Sequence, residues 1–235
     1  MRKTKRALAS LSIAAMALTM VPFNVSAMGT VPTRLAGTTA AQTAVGIADQ
    51  TGWTGAAILA SSASYGMVDA LTSGPLATFL KAPILLQEPG AVLNADTKAE
   101  LIKLAVKKVY VTSGTAVINQ AVLDQLSGIG ITVVTLGGAD RFETSVNIAK
   151  EMVKQGATIS KVAVAYGWLN QDALSIAAIA SSATQPILLT EKNALPTSVK
   201  DFLTANITSV DVIGGTGVIS GCCQSSTTKR YSSCR

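Results

Sequence analysis

Histidine is absent from all 235 residues. Its absence excludes the Ser-His-Asp and Cys-His pairs of nucleophilic hydrolases and removes the commonest zinc ligand. Cysteine is nearly as scarce: Cys222, Cys223 and Cys234 all lie at the C-terminal end, so the body of the chain does not rely on disulfides. Aromatic residues make up only 4% of the sequence, and the abundance of Ala, Val, Ile, Leu and Gly suits helices packed tightly on a sheet. A basic excess is also missing where it would matter. The formal net charge is +6, but residues 28–220 hold 12 Lys plus Arg against 13 Asp plus Glu. The basic net charge is therefore no evidence for a polyanion-binding surface, no nucleic-acid partner is expected, and Lys103, Lys107 and Lys108 read as a solvated helix end.

The first 27 residues follow the secretory pattern. Arg2, Lys3, Lys5 and Arg6 precede an apolar run from Ala7 to Val21, and Val25-Ser26-Ala27 supplies small residues for cleavage. A signal anchor is the competing reading, but the run falls short of the roughly 20 residues that span a bilayer. The expected mature chain starts near Met28, is secreted, and has no membrane contact after signal cleavage.

The remainder repeats itself. GTTAAQTAVGIA at 37–48 aligns with GADRFETSVNIA at 138–149, and VYVTSGTAVI at 109–118 with VDVIGGTGVI at 210–219. Asp69-Ala70-Leu71 recurs as Asp172-Ala173-Leu174, and Pro83-Ile84-Leu85-Leu86 as Pro186-Ile187-Leu188-Leu189, each time with a Glu two positions on. Such self-similarity marks a tandem duplication. Within each copy, apolar runs alternate with segments of helical period. Strands are expected at 56–61, 83–87, 108–112 and 131–136, then 161–166, 186–190 and 209–213. Helices are expected near 40–50, 67–80, 96–105 and 118–126, then at 141–155, 171–182 and 196–204. Strands apolar throughout must be covered on both faces, and β-α alternation makes them parallel. The second copy ends early: GCCQSSTTKRYSSCR stands where a helix and a last strand should follow, a truncated end or a natural disordered tail.

Without histidine, carboxylate-only chemistry remains, such as glycoside cleavage by two acids roughly 5–9.5 Å apart. Asp69 and Asp172 recur at helix starts, where an acid more simply meets free N–H groups and the helix dipole. LGGADR and IGGTG follow strands but match neither G-x-G-x-x-G followed by an acid nor G-x-x-x-x-G-K-[ST], so tight strand-to-helix turns explain them. Burial explains an apolar Ile-Leu-Leu strand, with Pro at its first position. It does not explain why the same four residues return together, and this leaves room for recognition.

Arg34-Leu35-Ala36-Gly37, GADRFETSVNIA, the two D-A-L and two P-I-L-L motifs and KVYVTSGTAVI together resemble the cell wall binding repeat 2 family across about residues 34–219. These are anchoring modules of clostridial surface-layer and other cell wall proteins, also found attached to amidases. The resemblance implies an α/β fold: tandem Toprim-like or Rossmann-like three-layer modules with mainly parallel sheets, usually three around a pseudo-threefold axis. It also implies non-covalent binding of an anionic, teichoic-acid-like wall glycopolymer, with Ile84, Leu85, Leu86, Ile187, Leu188 and Leu189 implicated. The first copy departs from the pattern, since Thr39 and Ala40 replace the Asp and Arg present at Asp140 and Arg141.

The expected organisation is a signal peptide at 1–27, module 1 at 28–136, an incomplete module 2 at 137–220 and an atypical tail at 221–235. The expected function is anchoring at the Gram-positive cell wall and surface, without catalytic residues, metal or cofactor. Arg34 and Arg141 are candidates to grip phosphate or carboxylate groups bidentately, although Arg141 has Asp140 and Glu143 as local partners. Two alternatives stand beside this reading: a fragment of a wall hydrolase whose catalytic domain is elsewhere, and a surface-layer subunit that associates with itself.

Overall fold

The computed structural model describes residues 34–221. The signal-peptide and C-terminal-tail expectations fall outside those residues. The architecture below is that of residues 35–221.

Module 1 runs α1 (Ala40–Thr51), β1 (Ala56–Ser61), α2 (Met67–Thr72), α3 (Gly74–Leu80), β2 (Ile84–Gln87), α4 (Ala95–Lys103), β3 (Lys108–Val111), α5 (Gln120–Gly128) and β4 (Thr132–Thr135). Module 2 runs α6 (Arg141–Lys154), β5 (Lys161–Tyr166), α7 (Asn170–Ser182), β6 (Ile187–Thr190), α8 (Thr197–Asn206) and β7 (Ser209–Ile213). The single helix expected over 67–80 is broken. Pro75 has no N–H to offer and its ring would strike the carbonyl of Leu71 in a continuous helix. The Thr72 and Ser73 hydroxyls accordingly donate to the Asp69 and Ala70 carbonyls at 2.9 and 2.6 Å. The helix expected from 118 starts at Gln120, because the Asn119 side chain accepts from the Ala121 N–H at 2.9 Å and caps it there.

All strand pairs are parallel. The sheets have the orders β2-β1-β3-β4 and β6-β5-β7, so each module places its first strand beside both its second and its third. Alternate residues of β1 serve opposite faces: Ala57 and Leu59 join a cluster with Leu101, Val122 and Leu126, while Ile58 joins a second with Leu76, Val146 and Leu188. Helices therefore cover both faces of the sheet, as apolar parallel strands require.

The second cluster crosses from one module to the other. Helices α2 and α3 pack against α6 and α7, so one helical layer is shared by two sheets. Val68 and Leu76 on the first side and Val146, Ile148 and Ala149 on the second are all at most 1% exposed. Each large aliphatic side chain buried there contributes about 1.5–3 kcal/mol over leaving it in water. The two sheets end differently: β3 pairs with β4, whereas β7 has β5 alone as a partner among the described residues.

Candidate binding site at the module junction

Helix α6 begins with a reciprocal cap. Asp140 accepts from the Glu143 N–H at 2.7 Å, and the Glu143 carboxylate accepts from the Ala139 N–H at 2.7 Å. Both acids are thus engaged with backbone, and Arg141 finds other company. Its Nη1 donates to the Gly167 carbonyl at 2.7 Å, and its guanidinium carbon lies 4.1 Å from the centre of the Trp168 ring. Phe142 meets the same ring edge-on at 6.2 Å, and the Trp168 Nε1–H donates to Glu191 at 2.8 Å.

The chain supports this clamp from three directions. Arg141 comes from the first turn of α6, Gly167 and Trp168 from the loop after β5, and Glu191 from the residue after β6. A β-carbon at Gly167 would stand 2.6 Å from the Phe142 ring, so only glycine lets the loop approach. Trp168 nevertheless remains 53% exposed. An open indole face beside a cation and a carboxylate offers stacking, an anion contact and a hydroxyl acceptor at one place.

Module 1 contributes a carboxyl group to the same junction. Asp69, in the first turn of α2, is 7% exposed; its Oδ2 accepts from the Ser113 hydroxyl at 3.0 Å, and Oδ1 has no hydrogen-bond partner. The acid sits at a helix start as expected, but its bond goes to Ser113 rather than to free helix N–H groups. Burial pushes its carboxyl up to about 6, against the opposing effects of Ser113 and Arg141. Asp172, its counterpart in α7, lies against Gly214, where a β-carbon would be 2.8 Å from Oδ2. The glycines after β4 serve contact as well: a β-carbon at Gly137 would stand 2.3 Å from the Gly114 backbone nitrogen.

The other expected site residues are dispersed. Leu85, Ile187, Leu188 and Leu189 are at most 1% exposed within their strands, and the Leu189 N–H donates to the Ser145 hydroxyl at 3.2 Å. Ile84 and Leu86 are half-buried and line a cavity of about 430 Å³ with Ile47, Thr51 and Trp53. Arg34 is exposed, at the start of the described residues. Of the expected residues, only Arg141 stands in the aromatic clamp. Trp168 and Glu191 were not anticipated, although two signals pointed to them: a rare tryptophan, and a Glu that returns two positions after each P-I-L-L. Tyr65, also exposed, occupies the position in module 1 that Trp168 occupies in module 2. Among the described residues no cluster of three or more acidic or Cys ligands is placed to hold a metal, and no helix is long and apolar enough to cross a membrane.

Known proteins resemble this chain in sequence and fold. The model of the cell wall binding domain 2 family matches residues 34–123 and 135–222. N-acetylmuramoyl-L-alanine amidase LytC of Bacillus subtilis (strain 168) is 32% identical over 165 residues, which cover 70% of this chain and 32% of that protein. The amidase enhancer of the same organism is 36% identical over 129 residues, 55% of this chain and 17% of that one. The structure of Cwp6 from Clostridium difficile superposes with a TM-score of 0.75 at 32% identity, over 82% of this chain and 31% of Cwp6. Cwp8 from the same organism gives 0.70 at 31% identity, over 80% of this chain and 31% of Cwp8. The chain thus spans about a third of the length of LytC and less than a fifth of the enhancer.

Proposed function

We infer, from the premise that this chain belongs to the cell wall binding domain 2 family, that it anchors an exported protein on the Gram-positive wall by binding an anionic, teichoic-acid-like glycopolymer. The observation that carries this reading is the exposed Trp168 ring held between Arg141 and Glu191. A sugar ring stacks on the indole, a phosphate or carboxylate takes the free edge of the Arg141 guanidinium, and Glu191 accepts from hydroxyls. Arg34 adds a further phosphate contact. Ile84 and Leu86 offer an apolar surface in their open cavity. The buried Leu85, Ile187, Leu188 and Leu189 act by holding the strands from which Glu88 and Glu191 emerge. Weak contacts repeated over modules at 28–136 and 137–220 add along a repeating polymer.

We read the chain as binding without catalysis; the stretch it shares with the amidase among its relatives is 32% of that protein. The test is co-sedimentation with purified Gram-positive walls before and after chemical removal of their anionic polymers, for the wild type and for Trp168→Ala and Arg141→Gln. Binding that disappears on stripping and weakens about tenfold in either variant, as base and sugar stacking or a charge-assisted bond of about 1–3 kcal/mol would give, supports the proposal. Binding that survives stripping refutes the polymer assignment.

Self-association is a second reading with its own observation. Leu76 in α3 is fully buried against module 2, yet its counterpart Ile179 in α7 is 63% exposed and Leu174 is 62% exposed. That face fits another module of the same kind, from a second copy. Sedimentation velocity over a range of concentrations, without wall material, separates assembly from anchoring.

A further inference from the structure

The helical pairs α1–α4 of module 1 and α6–α8 of module 2 differ in one respect. In module 1, Lys103 of α4 ties that helix to α1: its ammonium bonds Asp49, and Glu100 at 3.3 Å. Aligning α8 on α4 through their N-caps, Pro196 on Asn94, places buried Val199 on Thr97 and buried Leu203 on Leu101. The same alignment puts Phe202 at the position of Glu100 and Ala205 at that of Lys103, and the α1–α6 repeat puts Lys150 at that of Asp49. All three members of the tie are therefore replaced in module 2.

A cleft of about 610 Å³ lies between α6 and α8 in their place, walled by Val153, Ile159, Phe202 and Ile207, with Lys150 and Asp201 also lining it. Neither the Lys150 ammonium nor the Asp201 carboxylate has a hydrogen-bond or ionic partner among the described residues. The volume is that of a small-molecule site, apolar with a few polar groups to orient the ligand. Two unpaired charges of opposite sign select among such ligands. An aliphatic anion would satisfy Lys150 but meet repulsion from Asp201, and an aliphatic cation the reverse.

We propose that the α6–α8 cleft binds short zwitterionic peptides with aliphatic side chains. The peptide's carboxylate meets the Lys150 ammonium, its terminal ammonium meets the Asp201 carboxylate, and its side chains lie on Val153, Phe202 and Ile207. Thr197 and Ser198, which also line the cleft, supply hydroxyls for the peptide groups. The site shares no residue with the Arg141–Trp168 clamp, so it stands or falls separately from polymer binding.

The test is an amide-detected NMR titration of the full chain with Ala-Leu-Ala, followed by its N-acetylated and C-amidated forms and by octanoate. Saturable shifts confined to α6, α8 and their loops are expected. Each blocked terminus should weaken binding by up to about fivefold, the upper value for one exposed ion pair. Lys150→Met should abolish the sensitivity to C-amidation and Asp201→Asn the sensitivity to N-acetylation, while the spectra report that both exposed substitutions leave the fold intact. Ala205→Glu, which hands Lys150 a partner within the chain, should reduce binding of the free peptide. No saturable shift, shifts elsewhere in the chain, indifference to blocking, or octanoate binding as tightly as the peptide would each overturn the assignment.

Discussion

Asp69 should make the junction between the modules weaken as pH rises. Its carboxyl ordinarily titrates at 3.8, and burial raises it to about 6 in the folded chain. Below the unfolded value both states hold the proton and the stabilising contribution is fully present; it is lost as pH rises through the folded value. The difference between 3.8 and about 6, at ~1.36 kcal/mol per pH unit, amounts to about 3 kcal/mol, most of it lost between roughly pH 4 and 7. The perturbation is Asp69→Asn, which keeps an oxygen for the Ser113 hydroxyl and removes the charge. Urea unfolding of both proteins across this range gives a difference curve in which the other acids cancel, including Asp49 and Asp211, held low by Lys103 and Lys161. The variant should match the wild type at the acid end and exceed it above neutrality, by up to about 3 kcal/mol. A difference that does not change with pH, or one that favours the wild type as pH rises, would refute the reasoning.

Arg141→Gln should steepen the same pH dependence and carry it to higher pH, because the guanidinium opposes the rise at Asp69; an unchanged curve would mean that the two groups do not interact. Leu76→Ala should cost about 2–5 kcal/mol in urea unfolding, since Leu76 is fully buried, whereas Ile179→Ala at the repeat-equivalent position should change stability by no more than about 0.5 kcal/mol. Equal costs at the two sites would show that α7 is covered in solution. Gly137→Ala should destabilise by about 1–3 kcal/mol, because the new β-carbon would meet the Gly114 backbone; a neutral result in the same assay would show that the β3 and β4 loops are free to separate.

The elements most legible in the sequence were those whose period carries the information. Apolar runs such as AAILAS and KVAVAY gave parallel strands, and the recurrence of P-I-L-L gave two sheets of like topology. The break at Ser73–Gly74 was visible only as Pro75, whose cost depends on whether the helix would otherwise continue. The junction was less legible for a different reason. Asp69 and Arg141 are far apart in sequence, and both have adequate local explanations as helix-start residues; only the packing of α2 and α3 on α6 and α7 brings one to bear on the other. Trp168 had no periodic neighbour to announce it, and its partner Glu191 was noticed as a repeat without a role.

The duplication also explains why burial and recognition divide unequally between equivalent residues. Ile187 and Leu189 are closed in, and Met152 fills the helix layer above them, while Thr51 occupies the place of Met152 in module 1 and leaves Ile84 and Leu86 beside an open cavity. Ser145, which accepts from the Leu189 N–H, is Ala44 in module 1, so the corresponding strand loses a side-chain partner there as well. A recurring motif thus has a packing role in one copy and an accessible apolar surface in the other. The motif cannot be assigned one function from its sequence; the residues one helical layer away decide which copy is free to meet a ligand.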